Sequence, residues 1–213
     1  MANKNTYIIK ERLYKQYDES RNKLLRFYVF AIVIASAAAI CYFLNWVYVY
    51  NSDYGIEVKA SGFSFIAAAL SGKYSSADKI YGDLAMPFYY YAKNSSGTLG
   101  TVTLVSFIVN IASVIVLVVV RLTKLQELSA LSIFLGVVSS VLLSAAFIIA
   151  LGMKNDRILS GYCGGNPKCT IGSSAVLPAL LAICSTAVQW FAARKLKKLN
   201  KEYNAEIAKL QNA

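Results

Sequence analysis

Histidine is absent from this chain of 213 residues. A serine–histidine pair and a zinc-binding histidine cluster are therefore impossible, and both are common designs for hydrolysis inside a membrane. No glycine-rich phosphate loop follows a strand. Five carboxylates are scattered among basic residues, and we interpret them as a solvated face: Asp53, Glu57, Asp78, Asp83 and Asp156. We therefore predict that the protein is not an enzyme and has no catalytic residue, cofactor or metal site.

Charged residues make up only 15% of the chain, and four long segments contain none of them. These segments are 27–50, 99–120, 128–153 and 171–193. Proton relays, ion-coupled transporters and voltage sensors carry charged side chains within their membrane helices. The lack of such side chains argues against all three functions.

The same four segments are apolar, in a chain that is 57% hydrophobic and has a mean hydropathy of +0.49. A helix rises about 1.5 Å per residue, so each segment is long enough to cross a hydrocarbon core of about 30 Å. We predict an all-α integral membrane protein with a four-transmembrane-helix bundle in a single domain. The connecting segments are then 51–98, 121–127 and 154–170, with tails at 1–26 and 194–213.

Basic residues are distributed unevenly between these connections. Fifteen of the 22 Lys and Arg residues lie in 1–26, 121–127 and 194–213, and seven lie in 51–98 and 154–170. The positive-inside rule then predicts a multi-pass cell-membrane protein with both termini and the short middle turn in the cytoplasm. Basic tails attract anionic lipid, so we expect the lipid bilayer and no nucleic acid as their partner. A protein or nucleic-acid partner is the alternative that the net charge of +11 leaves open.

Small residues recur at every fourth position of the third apolar segment, at Ser132, Gly136, Ser140 and Ser144. The first segment has a similar face, formed by Ala31, Ala35 and Ala39. Small residues let two helix backbones approach closely where lipid removes the usual hydrophobic drive. We predict that these two faces pack together; the alternative is that they reflect only the general abundance of small residues in membrane helices.

Two strongly polar side chains fall well inside the apolar segments, Asn110 in the second and Gln189 in the fourth, whereas Asn45 lies near the outer end of the first. Each must find a partner, and a hydroxyl group on another helix is the simplest one. Such pairs average only about 0.6 kcal/mol in membranes, so we expect these residues to fix helix register more than to supply stability.

The segment 51–98 is predicted to form a small extracytoplasmic cap from a short strand and short helices. Ile56–Ala60 alternates apolar and charged residues, Gly62 ends the run, and Phe63–Leu70 has the composition of a short apolar helix. A second helix is predicted from about Ser76, and Trp46 is predicted to mark the outer end of the first membrane helix. Pro178 predicts a kink in the fourth membrane helix, or a delayed start.

Both tails have apolar stripes at helical spacing, which predicts cytoplasmic helices continuous with the first and last membrane helices. The stripes are Ile9, Leu13, Tyr17 and Leu24 in one tail, and Leu196, Leu199, Tyr203, Ile207 and Leu210 in the other. We predict that the two tails form an antiparallel pair. The alternatives are docking of a cytoplasmic partner and contact with the membrane surface.

Two cysteines in the segment 154–170, Cys163 and Cys169, flank a Gly-Gly-Asn-Pro turn sequence. Outside the membrane this arrangement favours a disulfide bond, which would contribute about 2–3 kcal/mol in the chain-entropy model. A zinc site is the competing hypothesis, but it would require four ligands. A redox-active pair is less favoured, because the spacing is not C-x-x-C.

In topology the chain resembles the claudin-like four-helix membrane proteins. Trp46 closes the first apolar segment, the strand at Ile56–Ala60 follows, and the first outer segment is the larger one. Claudins carry a cysteine pair in that first outer segment, whereas Cys163 and Cys169 lie in the second. The resemblance implies a scaffold or adhesion role.

Two functions follow as hypotheses. The first is a non-enzymatic membrane scaffold or accessory subunit that associates with other membrane proteins, or with itself, through the small-residue faces. The alternative is an oligomeric pore lined by Asn110, Gln189 and the serine faces. The two hypotheses differ in where these polar groups point: towards each other inside one bundle, or towards the axis of an oligomer.

Overall fold

The computed structural model describes residues 2–51, 56–71, 99–123, 127–153 and 167–211. It is mostly helical, with a small sheet. The elements are α1 (Ala2–Ile40), β1 (Asn45–Asn51), β2 (Ile56–Ser61), α2 (Gly62–Ser71), α3 (Leu99–Thr123), α4 (Glu127–Met153), β3 (Pro167–Ile171) and α5 (Leu177–Gln211). Short 3-10 turns at Cys41–Phe43 and Ser173–Ala175 follow α1 and β3.

Four helices, α1, α3, α4 and α5, are long and apolar enough to cross a membrane, which confirms the predicted four-helix architecture. α1 packs along α5 and α3, and α4 packs along α3 and α5. The order around the bundle is therefore α1, α3, α4, α5, with α1 and α4 on one diagonal.

The bundle has two hydrophobic cores, one at each end. At the end where the sheet lies, here called the sheet end, Trp46, Phe65 and Leu99 pack against small residues of α4 and α5 such as Ala146 and Ala179. At the end where α1 begins and α5 finishes, here called the terminal end, Leu25, Tyr28, Leu117, Val120 and Leu196 form the second core.

The first helix is shorter at the sheet end than the sequence predicted. We expected the first membrane helix to extend to Tyr50, and this is wrong, because α1 ends at Ile40 and the chain continues as β1. The residues of β1, NWVYVYN, combine β-branched and aromatic side chains in alternation, which favours a strand. α1 itself runs unbroken from Ala2 because its sequence contains neither glycine nor proline.

The sheet has the strand order β2-β1-β3, and both pairings are antiparallel. Tyr48 of β1 lies opposite Lys59 on one side and Thr170 on the other. β2 and α2 match the strand and the short helix predicted for this part of the chain. β3 was not predicted, and the helix expected from Ser76 lies outside the described residues.

The last helix begins at Leu177, which confirms the delayed start that Pro178 predicted as the alternative to a kink. The apolar segment itself was expected to begin a membrane helix near residue 171, but residues up to Ile171 belong to β3. Pro178 therefore lies in the first turn, where its missing N–H interrupts no helical hydrogen bond. From there α5 continues to Gln211 without a break, so the cytoplasmic tail predicted by the sequence is an extension of the same helix.

Candidate functional site

A chain of buried hydrogen bonds links three helices in the middle of the bundle. The Oγ of Ser132 in α4 donates to Oε1 of Gln189 in α5, at 2.7 Å. Nε2 of Gln189 donates to the Oγ of Ser185 at 3.2 Å, and that hydroxyl donates to the carbonyl of Ala31 in α1 at 2.8 Å. All three polar side chains are at most 2% exposed. The amide of Gln189 therefore connects α4 to α1, although these two helices are on a diagonal.

Asn110 supplies the corresponding link between α3 and α1. Its Nδ2 donates to the carbonyl of Ala35 at 3.3 Å, and the side chain is 2% exposed. The sequence predicted a hydroxyl partner, whereas the structure shows a backbone carbonyl. The carbonyl of Ala35 is accessible because the residues three and four positions further along the helix, which cover it, are Ala38 and Ala39 with only methyl side chains. The alanine face of α1 thus accepts hydrogen bonds from both α3 and α5.

The small-residue face of α4 packs tightly, but its partner differs from the predicted one. A Cβ atom added to Gly136 would lie 2.5 Å from Oγ1 of Thr186, so α5 occupies the space that a side chain would need. The predicted pairing of this face with Ala31, Ala35 and Ala39 is wrong, because α1 packs along α5 and α3 instead. Ala39, at the sheet end of α1, is only half-buried.

Serine hydroxyls on this face bond to their own helix. Ser140 donates to the carbonyl of Gly136, and Ser144 donates to the carbonyl of Ser140, both at 2.8 Å. Such back-bonding satisfies the hydroxyl without a partner on another helix. Ser140 and Ser144 therefore offer no donor to α5, and Ser132 is the exception on this face, since its hydroxyl donates to Gln189 of α5.

At the sheet end of the bundle, the core contains large buried aromatic side chains. Trp46 is fully buried, and its Nε1 donates to the carbonyl of Cys41 at 2.9 Å. Tyr42 is also fully buried, and its hydroxyl shares a hydrogen bond with Ser106 of α3 at 2.8 Å. A Cβ on Gly62 would lie 2.6 Å from Cζ2 of Trp46. The sequence predicted Trp46 at a membrane interface and Gly62 at a strand end, whereas in the structure the glycine makes room for the indole.

Beyond the terminal-end core, α1 and α5 continue side by side as a two-helix extension. The rings of Tyr17 and Tyr203 stack with centroids 4.3 Å apart, and the Tyr17 hydroxyl donates to Oδ1 of Asn200 at 2.7 Å. Phe27 meets Phe191 edge-to-face at 5.6 Å in the same antiparallel register. The predicted antiparallel pairing of the two tails is therefore confirmed, although Ile9, which was expected within the contact, is 45% exposed.

Among the three cysteines of the described ranges, no two are bonded to each other. Cys163 lies outside the described residues, so the Cys163–Cys169 bond stays a prediction. Cys169 itself is buried on β3, opposite Val49. Cys41 is buried and Cys184 is exposed on α5.

Acidic residues form no cluster in the described part of the chain. Glu57 lies on the exposed side of β2 and pairs with Lys59, with 3.2 Å between Oε2 and Nζ. Asp53, Asp78, Asp83 and Asp156 lie outside the described residues. Within the described ranges no three cysteine or carboxylate side chains are close enough together to hold a metal ion.

No protein-family model, curated protein or solved structure matches this chain. The resemblance to claudin-like proteins thus has no support beyond the four-helix architecture. The site described here is a set of buried amides and hydroxyls, which neither ionise nor exchange protons readily near neutral pH. What this arrangement can do is hold four helices in one register.

Proposed function

We propose that this protein is a multi-pass cell-membrane protein that acts as a non-enzymatic scaffold or accessory subunit. The observation that carries the proposal is the burial of the strongest polar groups inside a single chain. Asn110 and Gln189 are 2% and 1% exposed and bond to neighbouring helices of the same bundle. Their role is to fix the relative positions of the helices.

The same observation argues against a pore. A pore assembled from several copies needs polar side chains on an outer face of each subunit, where they would surround a common axis. In this bundle the outer faces of α3 and α4 carry large apolar side chains, including Ile108, Ile115, Phe134, Val141 and Ile148. Such faces suit contact with lipid tails.

The terminal end carries the charge expected of a cytoplasmic face. Five basic residues near the exit of α5 from the bundle are exposed: Arg194, Lys195, Lys197, Lys198 and Lys201. Together with the uneven distribution of Lys and Arg along the chain, this supports placing both termini in the cytoplasm. The sheet would then face outwards, and a Cys163–Cys169 disulfide would form in an oxidising environment.

The surface that meets a partner differs from the one the sequence suggested. Gly136 and Ala31 are buried within the chain, so their small-residue faces are not available for lateral association. The two-helix extension instead leaves Tyr7, Ile9 and Tyr14 exposed on α1. We propose that these exposed side chains of the extension meet a cytoplasmic protein segment.

The proposal is tested by site-specific photo-crosslinking in intact cells. A photoreactive amino acid in place of Tyr7 or Tyr14 should give a discrete crosslinked protein band. The same group in place of Ile115, on the outer apolar face of α3, should crosslink lipid. In parallel, proteoliposomes containing the purified protein should show no flux of small ions above empty liposomes.

Two results would contradict the scaffold proposal. One is steady ion flux that Asn110→Ala or Gln189→Ala changes in selectivity, which would favour the pore. The other is the absence of any protein crosslink from the extension. Sidedness is checked separately: a cysteine introduced at Gln211 should resist a membrane-impermeant thiol reagent in intact cells and react after permeabilisation.

A further inference from the structure

A cleft of about 370 Å³ opens at the terminal end between α4 and α5, with α1 behind it. Tyr28 of α1 and Ser129 of α4 lie in its wall. Trp190, Arg194 and Lys197 line it along α5. The cleft is therefore bordered by two cationic side chains, and no residue that lines it is acidic among those the structure describes.

The two cationic side chains, Arg194 and Lys197, are positioned to bind an anion. The Arg194 guanidinium lies over the ring of Trp190, with its central carbon 5.3 Å from the ring centroid. Stacking occupies the face of the guanidinium and leaves its N–H edges available for bidentate bonding to phosphate oxygens. Ser129, in the first turn of α4, adds a side-chain hydroxyl to the wall of the cleft. Charge complementarity thus selects a phosphate or carboxylate.

An apolar groove of about 360 Å³ continues from this cleft towards the middle of the bundle. It runs between α4 and α5, with Val137 and Val141 on one side and Ile183 and Ala187 on the other. Ile133 and Trp190 line both the cleft and the groove, so the two form one slot. From Ile183 to Lys197 the slot follows α5 for about 21 Å, at about 1.5 Å per residue.

We propose that this slot binds one anionic phospholipid, with its headgroup phosphate at Arg194 and Lys197 and one acyl chain in the groove. The inference rests on the membrane insertion proposed above. A length of about 21 Å matches one leaflet of a hydrocarbon core of about 30 Å together with the adjoining headgroup layer. A free phosphate ion would use the cleft alone, whereas a lipid uses both parts. Trp190 at their junction lies where aromatic residues meet the membrane–water boundary.

The test compares lipids on the purified, delipidated full-length protein in detergent. Phosphatidylglycerol and phosphatidylcholine with identical acyl chains are added, and bound lipid is counted by native mass spectrometry while the unfolding temperature is recorded. We expect retained phosphatidylglycerol and a raised unfolding temperature, with a much smaller effect of phosphatidylcholine. Glycerol phosphate, which carries the headgroup charge without the chains, should produce no shift.

Two variants with the same change in net charge test whether the lipid headgroup binds in the cleft. R194Q/K197Q removes both cations that line it and should weaken phosphatidylglycerol binding about tenfold or more, since each basic residue near a membrane surface contributes about 1 kcal/mol. K195Q/K201Q changes two cations of the same helix that do not line the cleft, and it should weaken binding by a clearly smaller factor, because neither side chain borders the site of the phosphate. In both variants the substituted side chains are exposed, so both should fold.

A second pair of variants tests whether an acyl chain binds in the groove. Ala187→Phe fills it and should lower phosphatidylglycerol retention, whereas Cys184→Phe, on an exposed position of α5 outside the groove, should not. Equal effects of the two lipids, equal losses in the two charge variants, or a full shift with glycerol phosphate would each overturn the lipid site. Extraction of membranes with alkaline carbonate separates this result from the broader proposal. If the protein stays in the membrane but shows no lipid selectivity, only the proposed lipid site is refuted. If carbonate releases the protein, membrane insertion itself is refuted.

Discussion

The two ends of the bundle are held together by different interactions. At the sheet end, the large rings of Trp46 and Tyr42 fill the space between helices and sheet, and small residues such as Gly62 and Ala146 make room for them. From the middle of the bundle towards the terminal end, helices approach closely at Gly136 and are linked by the amides of Gln189 and Asn110. The sheet end is stabilised mainly by the packing of large side chains, and the middle is stabilised mainly by close helix contacts and by hydrogen bonds, which require a defined orientation.

This difference has a physical reason if the bundle lies in a membrane. Between helices in lipid, burial of apolar surface gives little net gain, so close packing and hydrogen bonds decide which faces meet. Where the chain leaves the lipid, water is present and burial of a large aromatic side chain again contributes substantially. Substitutions at the sheet end should therefore cost more than substitutions of the polar groups in the middle.

The largest loss is expected for Trp46→Ala. This change leaves a cavity where the indole lies against Gly62, and it removes the hydrogen bond to the carbonyl of Cys41. Truncation of a fully buried tryptophan costs about 3–5 kcal/mol. Unfolding in detergent, followed by the loss of near-ultraviolet circular dichroism, measures the effect. Phe134→Ala, which truncates an aromatic side chain that is 62% exposed, is the control and should have a small effect.

The next loss is expected for Gly136→Leu, at about 1–3 kcal/mol, because the added side chain must displace Thr186. Val137→Leu, which adds one methylene at an exposed neighbouring position, should be much milder. The double variant Gly136→Ala/Thr186→Ala should be more stable than Gly136→Ala alone, because it removes the oxygen that the new methyl group meets. Equal unfolding temperatures for Gly136→Leu and Val137→Leu would show that α4 and α5 do not meet at this face.

A smaller loss, of about 1 kcal/mol, is expected for Ser132→Ala, since hydrogen bonds between membrane helices average about 0.6 and reach about 1.7 kcal/mol. The substitution leaves Oε1 of Gln189 without this donor. Ser139→Ala is a close control on the same helix, because its Oγ is equally buried but bonds to no described residue. It should be neutral or slightly stabilising, because it removes an unsatisfied group. If the two variants unfolded at the same temperature, the chain of hydrogen bonds would contribute nothing to stability.

The smallest effect on the unfolding temperature of the bundle is expected for Tyr17→Ala in the two-helix extension. A stacked aromatic pair contributes about 0.5–1.5 kcal/mol beyond its area burial, and this pair lies outside both cores. The loss should appear as faster hydrogen exchange in the extension, with little change in the unfolding temperature of the bundle. Cysteines at Leu13 and Tyr203, oxidised in dilute detergent solution, should crosslink within one chain. Crosslinks found only between chains would assign the extension to an oligomer.

A disulfide between Cys163 and Cys169 remains a separate prediction. Non-reduced peptides that contain both cysteines should be lighter by two hydrogens in mass spectrometry, provided that this end of the molecule faces an oxidising compartment. Free thiols at both positions in freshly isolated membranes would reject the disulfide and reopen a metal-binding or reactive role.

The sequence predicted the helical elements well where a single physical property sets them. Uninterrupted apolar stretches gave the four long helices, and the apolar stripes of the tails gave the pairing of α1 with α5. Prediction failed where the preference of a few residues for a strand competes with the length of an apolar run, which favours a membrane helix. Residues after Ile40 are apolar enough to continue a helix, yet β1 forms because its alternating side chains pair with strands on both sides.

The sequence by itself determined that four helices form, which faces carry small or polar residues, and which end of the molecule is basic. These properties depend on residues close together in the chain, and periodicity reports them directly. Only the tertiary structure decided that Gly136 meets Thr186 instead of Ala31, that Asn110 bonds to a backbone carbonyl, and that cations of α5 line a cleft continuous with an apolar groove. Small faces are alike on several helices, so the choice among partners depends on the order of helices around the bundle, which no local pattern specifies.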